Sequence, residues 1–122
     1  MAKTKIDTAG LQDALDQARI ARGLSWRQLA AECGVTPSLL SRLRNGFKPD
    51  AEGFMTLVRW LRMPAETFLV EQVESAVQPE LAAELAPLLR ARADLDEADV
   101  AMLQEVIRAT LRRAAAQRRD RE

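Results

Sequence analysis

Ser25-Trp26-Arg27-Gln28-Leu29-Ala30-Ala31-Glu32-Cys33-Gly34-Val35-Thr36-Pro37-Ser38-Leu39-Leu40-Ser41-Arg42-Leu43-Arg44-Asn45-Gly46 is the stretch that decides the fold of this 122-residue chain. It reads as two short helices joined by a tight turn. Ser25 can N-cap the first helix, Gln28 completes a capping box, and Leu24 with Leu29 has the spacing of a hydrophobic staple. Gly34 follows the last helical residue, where a left-handed backbone penalises a Cβ. Thr36 can cap the second helix, Pro37 sits at its first position where a missing N–H costs nothing, and Val35 with Leu40 repeats the staple. Ala30 is small enough for the helices to cross closely, and Leu29, Cys33, Val35, Leu40 and Leu43 supply a shared core.

The totals agree with a helical protein. Apolar residues make up 48% of the chain but aromatics only 4%, so Leu, Val, Ile and Ala must do the packing. The expected class is all-α: a five-helix N-terminal domain followed by a C-terminal helical region. One cysteine excludes an internal disulfide framework, and the absence of His argues against zinc and removes the commonest general base. No catalytic residue, metal site or cofactor is expected. No apolar run approaches a membrane span, and no signal-peptide core is present, so a reducing cytoplasm is the expected location. Net charge is zero, yet residues 1–72 carry ten Lys and Arg against eight Asp and Glu, and residues 73–122 carry eight against ten. Any case for an anionic partner therefore rests on where the charges lie.

Outside the central stretch, Leu11, Leu15, Ala18 and Ile20 suggest a helix over 11–22 that Gly23 stops. After the Asn45–Pro49 loop, Asp50 is placed to cap a helix over 51–62 with Phe54, Leu57, Val58 and Leu61 on one face. Met63-Pro64 breaks it, and a last short helix over 65–71 turns Phe68 and Leu69 inward. The domain is thus set at 1–71, with 72–79 as linker and 80–122 as the C-terminal region. In that region Pro79 opens a helical segment that Pro87 should kink or end. Asp96, with Asp99 at the capping-box position, starts a long helix toward residue 117, which explains that acid pair without catalysis. Val100, Leu103, Ile107, Leu111 and Ala114 then form a stripe suited to a partner helix, and Val100, Leu103, Ile107 and Leu111 are the candidate dimerisation residues. The residues after 117 and the Lys3/Lys5 tail read as loose, solvated ends.

Residues 11–71 resemble the DNA-binding domain of the phage-repressor/Cro-like family, also called the xenobiotic-response-element (XRE) family. The resemblance rests on Ala30, Gly34-Val35, Leu40, Leu43, Asn45-Gly46 and Pro49. It implies a lambda-repressor-like helix-turn-helix fold, double-stranded DNA as partner, a location at the nucleoid, and a dimeric transcriptional regulator, usually a repressor. Residues 36–45 would be the helix that enters the major groove. Pro37, Ser38 and Arg42 match groove-facing positions, Arg42 being able to fork onto guanine O6 and N7, and Leu39 is a fourth candidate. Trp26, Arg27, Thr36, Asn45 and Lys48 match phosphate-contacting positions.

Two departures from the family pattern stand out. Trp26 replaces a common Gln, and its indole can either donate to phosphate or pack inward. Arg44 stands where a Glu often pairs with the residue matching Arg19, so that ion pair cannot form. Arg44 then either reaches a phosphate or meets another acid such as Glu32. The second half of the chain admits an alternative role as well: an antitoxin or partner-controlled repressor whose residues 72–122 capture another protein.

Overall fold

The computed structural model describes residues 4–71 and 79–121, which fall into two compact units dividing between residues 74 and 75. The N-terminal unit runs β1 (Thr4–Ile6), α1 (Thr8–Arg22), α2 (Trp26–Cys33), α3 (Pro37–Arg44), α4 (Ala51–Leu61), a 3-10 turn (Ala65–Phe68) and β2 (Leu69–Glu71). The C-terminal unit is a pair of helices, α5 (Leu81–Ala91) and α6 (Glu97–Asp120). The fold is all-α but for the short two-stranded sheet. No helix among the described residues is long and apolar enough to cross a membrane.

The predicted caps form. Ser25 Oγ accepts from Gln28 N–H at 3.1 Å while Gln28 Oε1 accepts from the Ser25 N–H at 2.8 Å, so the capping box is reciprocal. Gly34 closes α2 in the left-handed region at φ 81°. Thr36 Oγ1 accepts from Leu39 N–H at 3.1 Å, and Asp50 Oδ1 accepts from Gly53 N–H at 2.8 Å. With the ends of the helices satisfied, their apolar faces meet: Leu11, Leu15, Leu29, Ala30, Cys33, Leu40, Leu43, Phe54, Leu57, Val58 and Phe68 form one buried cluster. Ala30 is 1% exposed where α2 crosses its neighbours, which leaves no room for a larger side chain.

Several expectations are corrected. The helix predicted over 65–71 is only a 3-10 turn, after which the chain extends and pairs antiparallel with residues 4–6, Ile6 opposite Leu69. The supposed loose tail is therefore strand from Thr4, while Lys3 lies outside the described residues. Three-residue strands are too short to show alternation, and their β-branched residues gain from pairing that joins distant parts of the chain. Asp7 caps α1, accepting from Gly10 N–H at 2.9 Å, so that helix starts three residues earlier than residue 11. Ile20 is 58% exposed because five residues beyond Leu15 is about 140° round the helix. Helix α5 continues through Pro87; Ala83, whose carbonyl loses its partner, is exposed to water. Helix α6 runs to Asp120, past residue 117. Residues 72–78 of the expected linker lie outside the described residues.

Within the C-terminal unit, the reciprocal Asp96–Asp99 box starts α6, with N–H to carboxylate distances of 2.8 and 3.1 Å. Val100 is 6% exposed, and Ile107 lines a small crevice with Leu85 and Leu89 of α5. Leu111 lies on the same side of α6 and is half-buried, whereas Leu103 points elsewhere and is 38% exposed.

Two substitutions separate packing from backbone freedom. Leu40→Ala should lower unfolding free energy by about 2–5 kcal/mol, the range for a fully buried Leu. Gly34→Ala meets no atom within 4 Å of its new Cβ, so only the left-handed backbone is penalised, at about 1–2 kcal/mol. Chemical denaturation of the two variants measures both.

Candidate nucleic-acid interface

Helix α3 is amphipathic in the sense its packing requires. Leu40 and Leu43 are buried, and Pro37, Ser38, Arg42 and Arg44 are exposed on the outside. Spacing of four residues puts Ser38 and Arg42 one above the other along one exposed row. Leu39 is half-buried and serves as the boundary, packed on the core while lining an open groove with Arg42, Phe47, Lys48, Pro49 and Asp50. Gly53 makes this packing possible, since a Cβ there would lie 2.8 Å from a Leu39 methyl.

The turn after α3 sets the rest of the surface. Asn45 donates its side-chain amide to the Ser41 carbonyl at 2.9 Å, so one of its two donors is committed to closing the helix. Gly46 adopts φ 87°, and Phe47 N–H returns to the Arg42 carbonyl at 3.0 Å. That reversal carries Phe47 and Lys48 to the same groove as Arg42. Phe47 is 63% exposed, an aromatic ring placed in water beside two cations. The exposure was not legible in the sequence; the available signal was an aromatic next to Lys48 in a turn.

At the other end of the surface, the two departures from the family pattern meet each other. Arg19 and Arg44 each set a guanidinium 4.7 Å from the centre of the Trp26 ring. Arg19 is held there by Asp16, at 2.8 and 3.1 Å, and by the Leu24 carbonyl at 3.0 Å. The ring itself is half-buried against the core. The acid partner considered from sequence is not used: Glu32 takes Arg22 instead, at 3.5 Å, and Arg44 lies on an aromatic face. Cation–π contact replaces the ion pair, worth about 0.5–2 kcal/mol each according to exposure. Arg44 remains exposed, with donors of its fork free of any intramolecular bond among the described residues. A second stack, Arg22 at 4.5 Å from Trp60, covers the edge of the core on the far side of Arg22's ion pair. Arg27 and Lys48 are exposed, and Thr36 is exposed with its hydroxyl bound to its own helix.

Cys33 is buried, and burial, reinforced by the charge of Glu32 and opposed by Arg22, raises its thiol to about 11. No group of His, Cys, Asp and Glu among the described residues is placed to hold a metal ion.

Replacing Trp26 with Ala should cost about 2–4 kcal/mol of stability, and Trp26→Phe clearly less, because a ring still lies under both guanidinium groups; thermal unfolding of the pair checks this. The folded thiol titrates above its unfolded counterpart, so its contribution is complete below pH 9 and is lost as pH rises from 9 to about 11. Denaturation over that range should show a fall in wild type that Cys33→Ala lacks, and a thiol reagent at pH 8 should label Cys33 only after unfolding.

Comparison with known families bears directly on this geometry. Residues 15–53 match the family model described as Helix-turn-helix, a span from the middle of α1 to the first residues of α4. A search among curated proteins found no match. The matched segment contains both caps, the Gly34 turn and the exposed second helix, and residues 15–53 are thus similar to the DNA-binding helix-turn-helix family of the XRE, or Cro and C1, type.

Proposed function

We propose that this chain is a sequence-specific transcriptional regulator that binds DNA as a dimer and acts as a repressor. The observation that carries the reading is the division of α3: Leu40 and Leu43 anchor it in the core while Ser38 and Arg42 stand clear of protein on its outer face. In this reading α3 enters the major groove. Arg42 forks onto a guanine, Ser38 bonds to a neighbouring base edge, and Pro37 and Leu39 offer apolar surface to a thymine methyl. Phe47, at the lip of the same groove, adds apolar contact to a base or sugar. Trp26, Arg27, Thr36, Arg44, Asn45 and Lys48 hold the phosphates and set the register.

The charge distribution favours this division of labour. The N-terminal residues 1–72 have a surplus of two positive charges, too small for tight non-specific binding on its own. A single recognition helix also buries little surface. Two copies on a two-fold axis double the contacts and read half-sites about 34 Å apart, or a multiple of it. Pairing through the C-terminal unit fits its acidic balance, which suits protein contact better than a phosphate backbone.

Selection of bound duplexes from a random pool should enrich a symmetric site. On that site Arg42→Ala should lose about 1–3 kcal/mol and relax preference at one base pair per half-site. Lys48→Ala should weaken selected and random DNA alike and reduce the slope of log K against log salt by about one per bound domain. Equal losses on both kinds of DNA for Arg42→Ala would refute its assignment to a base.

A further inference from the structure

Helix α6 carries a covered apolar row and, beside it, an exposed row that is apolar only at its centre. Val100, Ile107 and Leu111 turn toward α5. The other row follows residues 99, 103, 106, 110, 113 and 117, at spacings of four, three, four, three and four. That alternation is the seam of a helix pair. All six residues are exposed: Asp99, Leu103, Val106, Thr110, Arg113 and Gln117, with Leu103 at 38% and Val106 at 57%. Thr110 spends its hydroxyl on the Val106 carbonyl at 2.8 Å, leaving its methyl as the outward group. Met102, beside the row, is 71% exposed, and Leu88 of α5 is 60% exposed. Leu88 lies on the flank of α5 away from Arg90. Because Arg90 shares a hollow with Glu97, Ala101 and Gln104, Leu88 falls on the same side of the hairpin as Leu103.

The charges around this row indicate its occupant. From Glu97 to Ile107 the helix carries Glu97, Asp99 and Glu105 and no cation; from Arg108 to Arg119 it carries five arginines and no acid. Glu105 is engaged by Arg108 at 3.0 Å and Arg112 at 3.8 Å within the helix. Asp99 and Arg113 stand outside those pairs, and each is seven residues from Val106. A helix with such a gradient repels itself in parallel and complements itself when reversed.

We infer that the exposed Leu103–Val106–Thr110 row is a homodimer seam, in which α6 packs antiparallel on α6 of a second copy about a two-fold axis at Val106. In that register Leu103 falls between Val106 and Thr110 of the other copy, and Asp99 of each copy faces Arg113 of the other, so both ends of the seam are neutralised by the same operation. Isologous pairing of one surface with itself is what a two-fold requires. The inference rests on the dimeric reading given above and specifies its face, leaving Val100, Ile107 and Leu111 as the glue of each hairpin.

Sedimentation of the full chain, without DNA, tests it with wild type, Asp99→Arg, Arg113→Asp, the double variant and an equimolar mixture of the two single variants. A dimeric wild type is expected, with self-association weakened at least tenfold in each single variant. The double variant should recover it, and the mixture should form a heterodimer. Asp99→Arg also removes the carboxylate that accepts from the Asp96 N–H, so its helicity is followed by circular dichroism; Arg113→Asp touches no cap and carries the test alone. A dimeric wild type indifferent to Arg113→Asp would overturn the seam while sparing the dimer. Loss without recovery in both the double variant and the mixture would overturn the antiparallel register. A monomeric wild type at tens of micromolar would overturn the dimeric reading itself.

Discussion

The close crossing of α2 and α3 is the constraint on which the rest of the N-terminal unit depends. Ala30 allows the approach, and Gly34 reverses the chain in a conformation that a Cβ would penalise. Leu29, Leu40 and Leu43 then bury the common face. Because a helix of eight residues has only two faces to offer, fixing Leu40 and Leu43 inward fixes Ser38 and Arg42 outward. The binding surface is a consequence of the packing, and each cap that starts or stops a helix on time protects it. The reciprocal Ser25–Gln28 box and the Thr36 cap together satisfy donors that the turn would otherwise leave exposed.

An ion pair between positions 19 and 44 is impossible with Arg at both, and two cations side by side would repel. Trp26 resolves the conflict: its π face attracts both guanidinium groups, and Asp16 neutralises Arg19 from below the helix end. The exchange has a functional side. An arginine paired with an acid has its fork occupied, whereas one lying on a half-buried ring keeps its planar fork free, as the proposed phosphate contact requires. The chain thereby carries an extra cation at the end of α3, which helps a domain whose net charge is small.

The C-terminal unit follows a different economy. Its two helices bury one apolar row of α6 and leave a second row, apolar at Leu103 and Val106 and charged at Asp99 and Arg113, open to water. In a unit of this size a single covered row supplies little stability, and a second copy is the simplest source of more. In the proposed dimer, charge segregation along α6 would fix direction and register, which apolar contact alone cannot do.

How much of this was legible beforehand depended on the range of the interaction. Caps, the Gly34 turn, the inward residues of α2 to α4 and the outward set on α3 follow from spacings of three and four residues, and these were readable in the chain. So was the start of α6 at Asp96. What pairs residues far apart was not: the strand of residues 4–6 with 69–71 needs two segments of three residues each, below the length at which alternation shows. The meeting of Arg19, Trp26 and Arg44 required three helices to converge, and the sequence showed only that an expected ion pair was missing. Likewise, the stripe of α6 read as one face, yet packing against α5 split it in two, since only tertiary contact decides which apolar residues are used at home and which remain for a partner. Local spacing determines what each helix can offer; the crossing of helices determines where it is offered.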